Sequence, residues 1–147
     1  MGESPASART TAVKIVADSY AWIEVFLGSA AGGEARRSMM LAEEVLTPDT
    51  VLAEIARKYH REGVADATIG TRLAWIIEAS ETLTIDGKVA VAAGKAYLEL
   101  ESKARREGRR KPSLFDAIAL AHARIQEAKV LTGDLHFMGL RETLWLG

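Results

Sequence analysis

The sequence predicts an α/β protein whose short, mostly parallel central sheet is covered by helices on both faces. Three observations carry that expectation. The apolar, β-branched run Val13–Ala17 and the later Lys129–Thr132 read as buried strands. Longer stretches with helical apolar spacing separate them, and strands alternating with helices imply crossover connections within one sheet. At 147 residues and 48% hydrophobic content, the chain has the size and composition of one domain with a proper core.

The first strand is expected at Val13–Ala17, after a polar, flexible stretch over residues 1–12. A helix over Ser19–Leu27 follows, then a glycine-rich turn at Gly28–Gly33 and a second helix over Glu34–Glu44. Val45–Leu46 forms a brief strand. Thr47-Pro48 has the form of a helix start, with Thr as N-cap and Pro in the first turn. That third helix should end at Gly63, and a fourth should cover Asp66–Ala79. Thr82–Ile85 is β-prone, and Asp86 caps a long helix reaching Gly108. Pro112-Ser113 opens a helix over Leu114–Ala128. Lys129–Thr132 and an edge strand at Thr143–Leu146 complete a single domain over residues 13–147.

Composition narrows the chemistry. No cysteine is present, which excludes disulfide frameworks, thiolate metal sites and cysteine nucleophiles. No apolar run approaches the roughly 18 residues of a membrane span, and residues 1–11 lack the apolar core of a secretory signal. A cytoplasmic protein is expected. The formal net charge of −1 does not announce a nucleic-acid binder, so the distribution of charge matters more than its sum.

Four carboxylates stand out. Asp18 follows the first strand, and Asp134 follows the strand Lys129–Thr132 by one glycine. If those strands are parallel, both acids lie at the carboxyl edge of the sheet, where α/β proteins bind ligands. Asp116 falls in the first turn of the helix before the last buried strand, and Glu54 sits between Val51 and Ile55 on the third helix. Each has an ordinary explanation. Asp18 suits an N-cap, Ser113-x-x-Asp116 a capping box, Asp134 a turn, and Glu54 with Lys58 a helical ion pair.

The ordered set is more specific than its members. It comprises Val16-Ala17-Asp18-Ser19, Thr47-Pro48-Asp49-Thr50-Val51-Leu52-Ala53-Glu54, Ser113-Leu114-Phe115-Asp116-Ala117-Ile118-Ala119-Leu120-Ala121 and Val130-Leu131-Thr132-Gly133-Asp134-Leu135-His136-Phe137. In this order the segments resemble the PIN domain, especially the toxin nucleases of VapBC type. The resemblance implies a three-layer α/β/α fold and hydrolysis of RNA with Mg²⁺ or Mn²⁺. It also implies inhibition by an antitoxin protein and assembly as a homodimer. Asp18, Glu54, Asp116 and Asp134 map onto the family's catalytic acids, with Asp18, Asp116 and Asp134 as metal ligands. Ser19 and Thr132 match hydroxyl residues beside the first and last acids.

Hard cations prefer oxygen donors, which suits this set, and a divalent ion relieves the repulsion that opposes clustering acids. One departure is His136, where many relatives carry a further acid; imidazole is the poorer Mg²⁺ ligand. It leaves open a second metal site, and it admits an alternative: a PIN-like RNA-binding or protein-interaction module with weak or no turnover. Aspartyl phosphotransfer would need an acid two residues after Asp18, where Tyr20 stands.

Arg105, Arg106, Arg109, Arg110 and Lys111 crowd the approach to the Asp116 helix. A patch that tracks RNA phosphates accounts for them, as does a solvated helix end whose cations complement the dipole. Trp22, Trp75 and Trp145 read as core or interface anchors, and His60 and His122 as surface or internally satisfied residues. Met39–Leu41 with Ala42, Val64 and Ile69 are candidates for a partner groove.

Overall fold

The computed structural model describes residues 13–147; the expected flexible stretch 1–12 lies outside the described residues. The chain forms β1 (Lys14–Ala17), α1 (Ser19–Leu27), α2 (Ala30–Leu41), β2 (Glu44–Pro48), α3 (Asp49–Arg61), α4 (Asp66–Ala79), β3 (Glu81–Leu83), α5 (Gly87–Arg106), α6 (Leu114–Gln126), β4 (Lys129–Thr132), a 3₁₀ turn (Leu135–Phe137) and β5 (Thr143–Trp145). The five strands run in the order β3-β2-β1-β4-β5 with every pairing parallel. The α/β expectation holds.

Alternation along the strands explains the layers. Ile15 and Ala17 of β1 pack with Trp22, Ile55 and Ile76 from α1, α3 and α4. Val16, one residue out of phase, packs with Leu100, Leu120 and Ala96 from α5 and α6. Both strand faces are covered, so these short strands are apolar throughout instead of alternating with polar residues. Among the described residues no helix is long and apolar enough to cross a membrane.

Several boundaries differ from the sequence expectation for identifiable reasons. The turn after α1 needs only Gly28, in the left-handed region at φ 68°, and Ser29, whose side chain caps α2. Gly32 therefore lies inside α2. A Cβ there would stand 2.0 Å from the Glu24 carbonyl oxygen, so this glycine lets α2 approach the α1 backbone. The helix ends at Leu41, and Glu44 joins β2 instead.

Thr47 is not an N-cap. It belongs to β2, accepts from the Trp22 indole N–H at 3.1 Å and shares a 2.8 Å hydrogen bond with Ser80. Pro48 occupies the cap position of α3 without a side-chain cap bond. Asp86 does cap α5, accepting from Val89 N–H at 2.9 Å. His122 is neither exposed nor satisfied: it is buried, and its Nε2 has no protein partner. Ile69 is core, not groove.

Candidate metal and nucleic-acid site

The sheet order reverses at β1, whose neighbours are β2 on one side and β4 on the other. Their carboxyl ends diverge into helices and turns there, leaving a crevice. Asp18 leaves β1 at this point and Asp134 leaves β4 beside it. Parallel register sets the two strand ends together, with Ala17 paired to Leu131.

Local folding rules place each acid. Asp18 caps α1, its Oδ1 accepting from Ala21 N–H at 3.1 Å, and it is 7% exposed. Asp134 caps the 3₁₀ turn, accepting from His136 N–H at 2.9 Å, while its own N–H donates to Thr132 Oγ1 at 2.9 Å. Asp116 completes a capping box: Oδ2 accepts from Ser113 N–H at 2.9 Å, and Asp116 N–H donates to the Ser113 hydroxyl. These bonds fix the carboxylates while leaving lone pairs free. Glu54 is not in a helical pair with Lys58, because Lys58 binds Glu62 at 2.7 Å.

The structure thus fulfils the ordinary cap and turn roles for three of the acids and still brings all four into mutual influence. Burial pushes the Asp18 carboxyl up to about 8; the Thr132 hydroxyl and Ala21 N–H oppose this, and the charges of Asp134 and Glu54 add to it. Glu54 rises to about 7, chiefly through burial, with Ser19 and Arg57 opposing and Asp116 and Asp134 adding. Asp116 is raised by burial and by Asp134, against its Ser113 bonds and the nearby His136. Capping and clustering are therefore not competing explanations here.

The donors are all hard oxygens, carboxylates with the Ser19 and Thr132 hydroxyls beside them. They suit a divalent cation of Mg²⁺ type. Among the described residues no three acidic or histidine side chains converge closely enough to grip one ion by direct bonds alone. Bound water is the remaining source of ligands, and Mg²⁺ ordinarily keeps several waters.

The basic cluster before α6 divides. Arg109 and Arg110 line a hollow of about 480 Å³ with Asp134 and His136. Arg106 lines a different groove, with Lys103 and Leu140, and Arg105 projects into solvent near Glu101. A second hollow, of about 360 Å³, lies on the Glu54 side and contains Ser19, Arg57 and Arg61. The sequence reading passed over Arg57 and Arg61; their four-residue spacing one turn after Glu54 was the available signal.

A model of the PIN domain matches residues 15–141. The chain belongs to the PIN domain family. Its sequence matches none of the curated proteins. Solved structures share the fold of this PIN domain. A chain of a toxin–antitoxin complex from Klebsiella pneumoniae aligns with TM-score 0.63 at 19% identity, over 90% of this chain and 98% of its own. VapC20 from Mycobacterium tuberculosis, a sarcin-ricin loop cleaving toxin, aligns with TM-score 0.62 at 20% identity, over 88% and 98%. VapBC-1 from nontypeable Haemophilus influenzae gives 0.64 at 16%, over 90% and 96%.

Proposed function

We propose that this PIN domain is a Mg²⁺- or Mn²⁺-dependent endoribonuclease acting as the toxin of a toxin–antitoxin pair. The observation that carries the reading is the electrostatic cluster: Asp18, Glu54 and Asp116, from separate segments, are raised by burial and by neighbouring carboxylates, the Asp134 charge acting on all three at the switch point of the sheet. A fold has little reason to hold such a cluster unless a cation offsets it.

In this reading Asp18, Asp116 and Asp134 hold the ion, directly or through water. When bound, such an ion supplies a more acidic water and stabilises charge on the phosphate oxygens. Glu54, raised to about 7, is poised to take a proton from the attacking water at a carboxylate oxygen near neutral pH. The Ser19 hydroxyl restrains that carboxylate, and Thr132 restrains Asp18. Recession of Asp18 limits bulk water around that carboxylate.

An apolar hollow of about 270 Å³ includes Trp22, Val25, Met39, Met40 and Trp75. Met40 and Trp75 are 80% and 49% exposed. This surface supports docking of an antitoxin segment; the family resemblance supports a homodimer, and the absence of cysteine supports a cytoplasmic location. The deciding experiment measures cleavage of RNA with Mg²⁺, Mn²⁺ or chelator, beside Asp116→Asn. Asn keeps an acceptor for the Ser113 cap, so the variant should fold and lose cleavage. RNA binding without cleavage by the wild type would favour the inactive-module reading, which His136 and the absence, among the described residues, of a direct three-residue cluster motivate.

A further inference from the structure

The acids lie between two hollows, and each hollow has cations on its rim. On one side Arg57 and Arg61 of α3 flank Glu54; on the other Arg109 and Arg110 flank Asp134 and His136. A polyanion approaching four carboxylates is repelled unless cations at the rim meet its phosphates first. The flanking cations differ in availability. Lys58 is taken by Glu62 and Arg109 by Glu107 at 3.1 Å. Among the described residues Arg57 and Arg61 enter no ion pair.

Arg57 is also held in place. Its guanidinium lies 5.5 Å from the centroid of Phe115, the residue preceding Asp116. The contact ties a cation of α3 to the first turn of α6, where Asp116 sits. Its nearness to Glu54 is seen in the downward pull that it exerts on that carboxyl. A guanidinium stacked on a ring keeps its planar N–H fork free, and that fork matches two oxygens of a phosphate. Arg57 is exposed, so the fork is open to a ligand.

We propose that Arg57, stacked on Phe115, is a phosphate-positioning residue for a single RNA strand crossing the acids from the Arg57–Arg61 side to the Arg109–Arg110 side. The proposal rests on the ribonuclease reading and adds to it a path and a residue. On this path Arg109 and Arg110 share a hollow with Asp134, whereas the groove that Arg106 lines contains none of the four acids.

The test uses labelled single-stranded RNA and the full chain in the Asp116→Asn background, with affinity measured across a salt series. Arg57→Ala should weaken binding and reduce the slope of log affinity against log salt by about 0.7, the loss of one phosphate contact. Arg57→Lys should restore the slope. In the active chain it should recover only part of kcat/KM, because an ammonium lacks the fork. Arg141→Ala removes an exposed cation at the opposite sheet edge and controls for net charge. Cleavage by the wild type, with Arg57→Ala indistinguishable from Arg141→Ala, overturns the path and leaves the nuclease intact. No RNA binding by the wild type overturns both. Equal Arg57 dependence on a duplex of the same sequence overturns the single-strand assignment.

Discussion

Thr132 Oγ1 accepts a hydrogen bond from the Asp134 N–H at 2.9 Å, and the same hydroxyl pulls the Asp18 carboxyl down against the upward push of burial. One fully buried side chain thus couples the acid at the end of β4 to the acid at the end of β1. Thr132→Val keeps the shape but removes the bond to Asp134 and the hydroxyl's pull on Asp18. It strands a backbone donor, at about 1–3 kcal/mol, and lets the Asp18 carboxyl rise further. Outer-shell losses of this kind cost about 10–100-fold in metal affinity or activity. A Mn²⁺ titration of Thr132→Val against wild type, alongside thermal melts, checks both effects; unchanged Mn²⁺ affinity refutes the coupling.

Stability should depend on pH in a direction opposite to that of salt-bridged acids. Asp18 and Glu54 have folded values of about 8 and 7, above their ordinary values of 3.8 and 4.5. Protonation therefore favours the folded state. Their contribution is fully present below about pH 4 and is lost as pH rises through 7 and 8. Metal-free protein should melt several degrees lower at pH 8.5 than at pH 5.5, and Mn²⁺ should recover much of the difference. Asp18→Asn should flatten the profile and stabilise the metal-free chain. A wild-type profile parallel to that of Asp18→Asn contradicts the assignment.

Glu54→Gln separates proton transfer from binding. If Glu54 takes the proton from water, kcat should fall by about 10²–10⁴-fold while RNA affinity stays the same or improves. Removal of a half-buried, raised carboxyl should also increase the melting temperature at neutral pH. Equal losses in binding and turnover, or no loss, would assign Glu54 a different role. Single-turnover cleavage and binding measured on the same RNA make the distinction.

The sequence revealed most where one local rule acts alone. Asp86 and Ser113 announced helix starts, and the β-branched runs announced β1 and β4, because caps and buried strands carry short-range signals. Thr47 misled for the same reason. Thr before Pro is a sound helix start locally, but the Trp22 indole, 25 residues away, claims its hydroxyl. The four acids were legible as an ordered set. Their meeting at one sheet edge followed from the expected parallel strands, but the burial that chiefly raises Asp18, Glu54 and Asp116 did not, since it depends on packing across both layers. Arg57 was hidden more completely, because its partner Phe115 lies 58 positions along the chain.

Gly32 was read as part of a turn and instead sets the distance between α1 and α2. Its Cβ position lies 2.0 Å from Glu24 O and 2.5 Å from Glu24 C, both backbone atoms that have no rotamer to move to. Gly32→Ala therefore gains the usual helix propensity of Ala over Gly, about 1 kcal/mol, and loses more through overpacking, about 1–3 kcal/mol or above. Its neighbour provides the contrast. At Gly33 the nearest atom is the flexible end of Arg37 at 3.8 Å. Gly33→Ala should raise the melting temperature by a few degrees and Gly32→Ala should lower it. Because α1 is capped by Asp18 and carries Trp22 on the wall of the apolar hollow, Gly32→Ala should also weaken Mn²⁺ binding. Thermal melts with and without Mn²⁺ measure both; a stabilised Gly32→Ala chain would show that the two helices separate without cost.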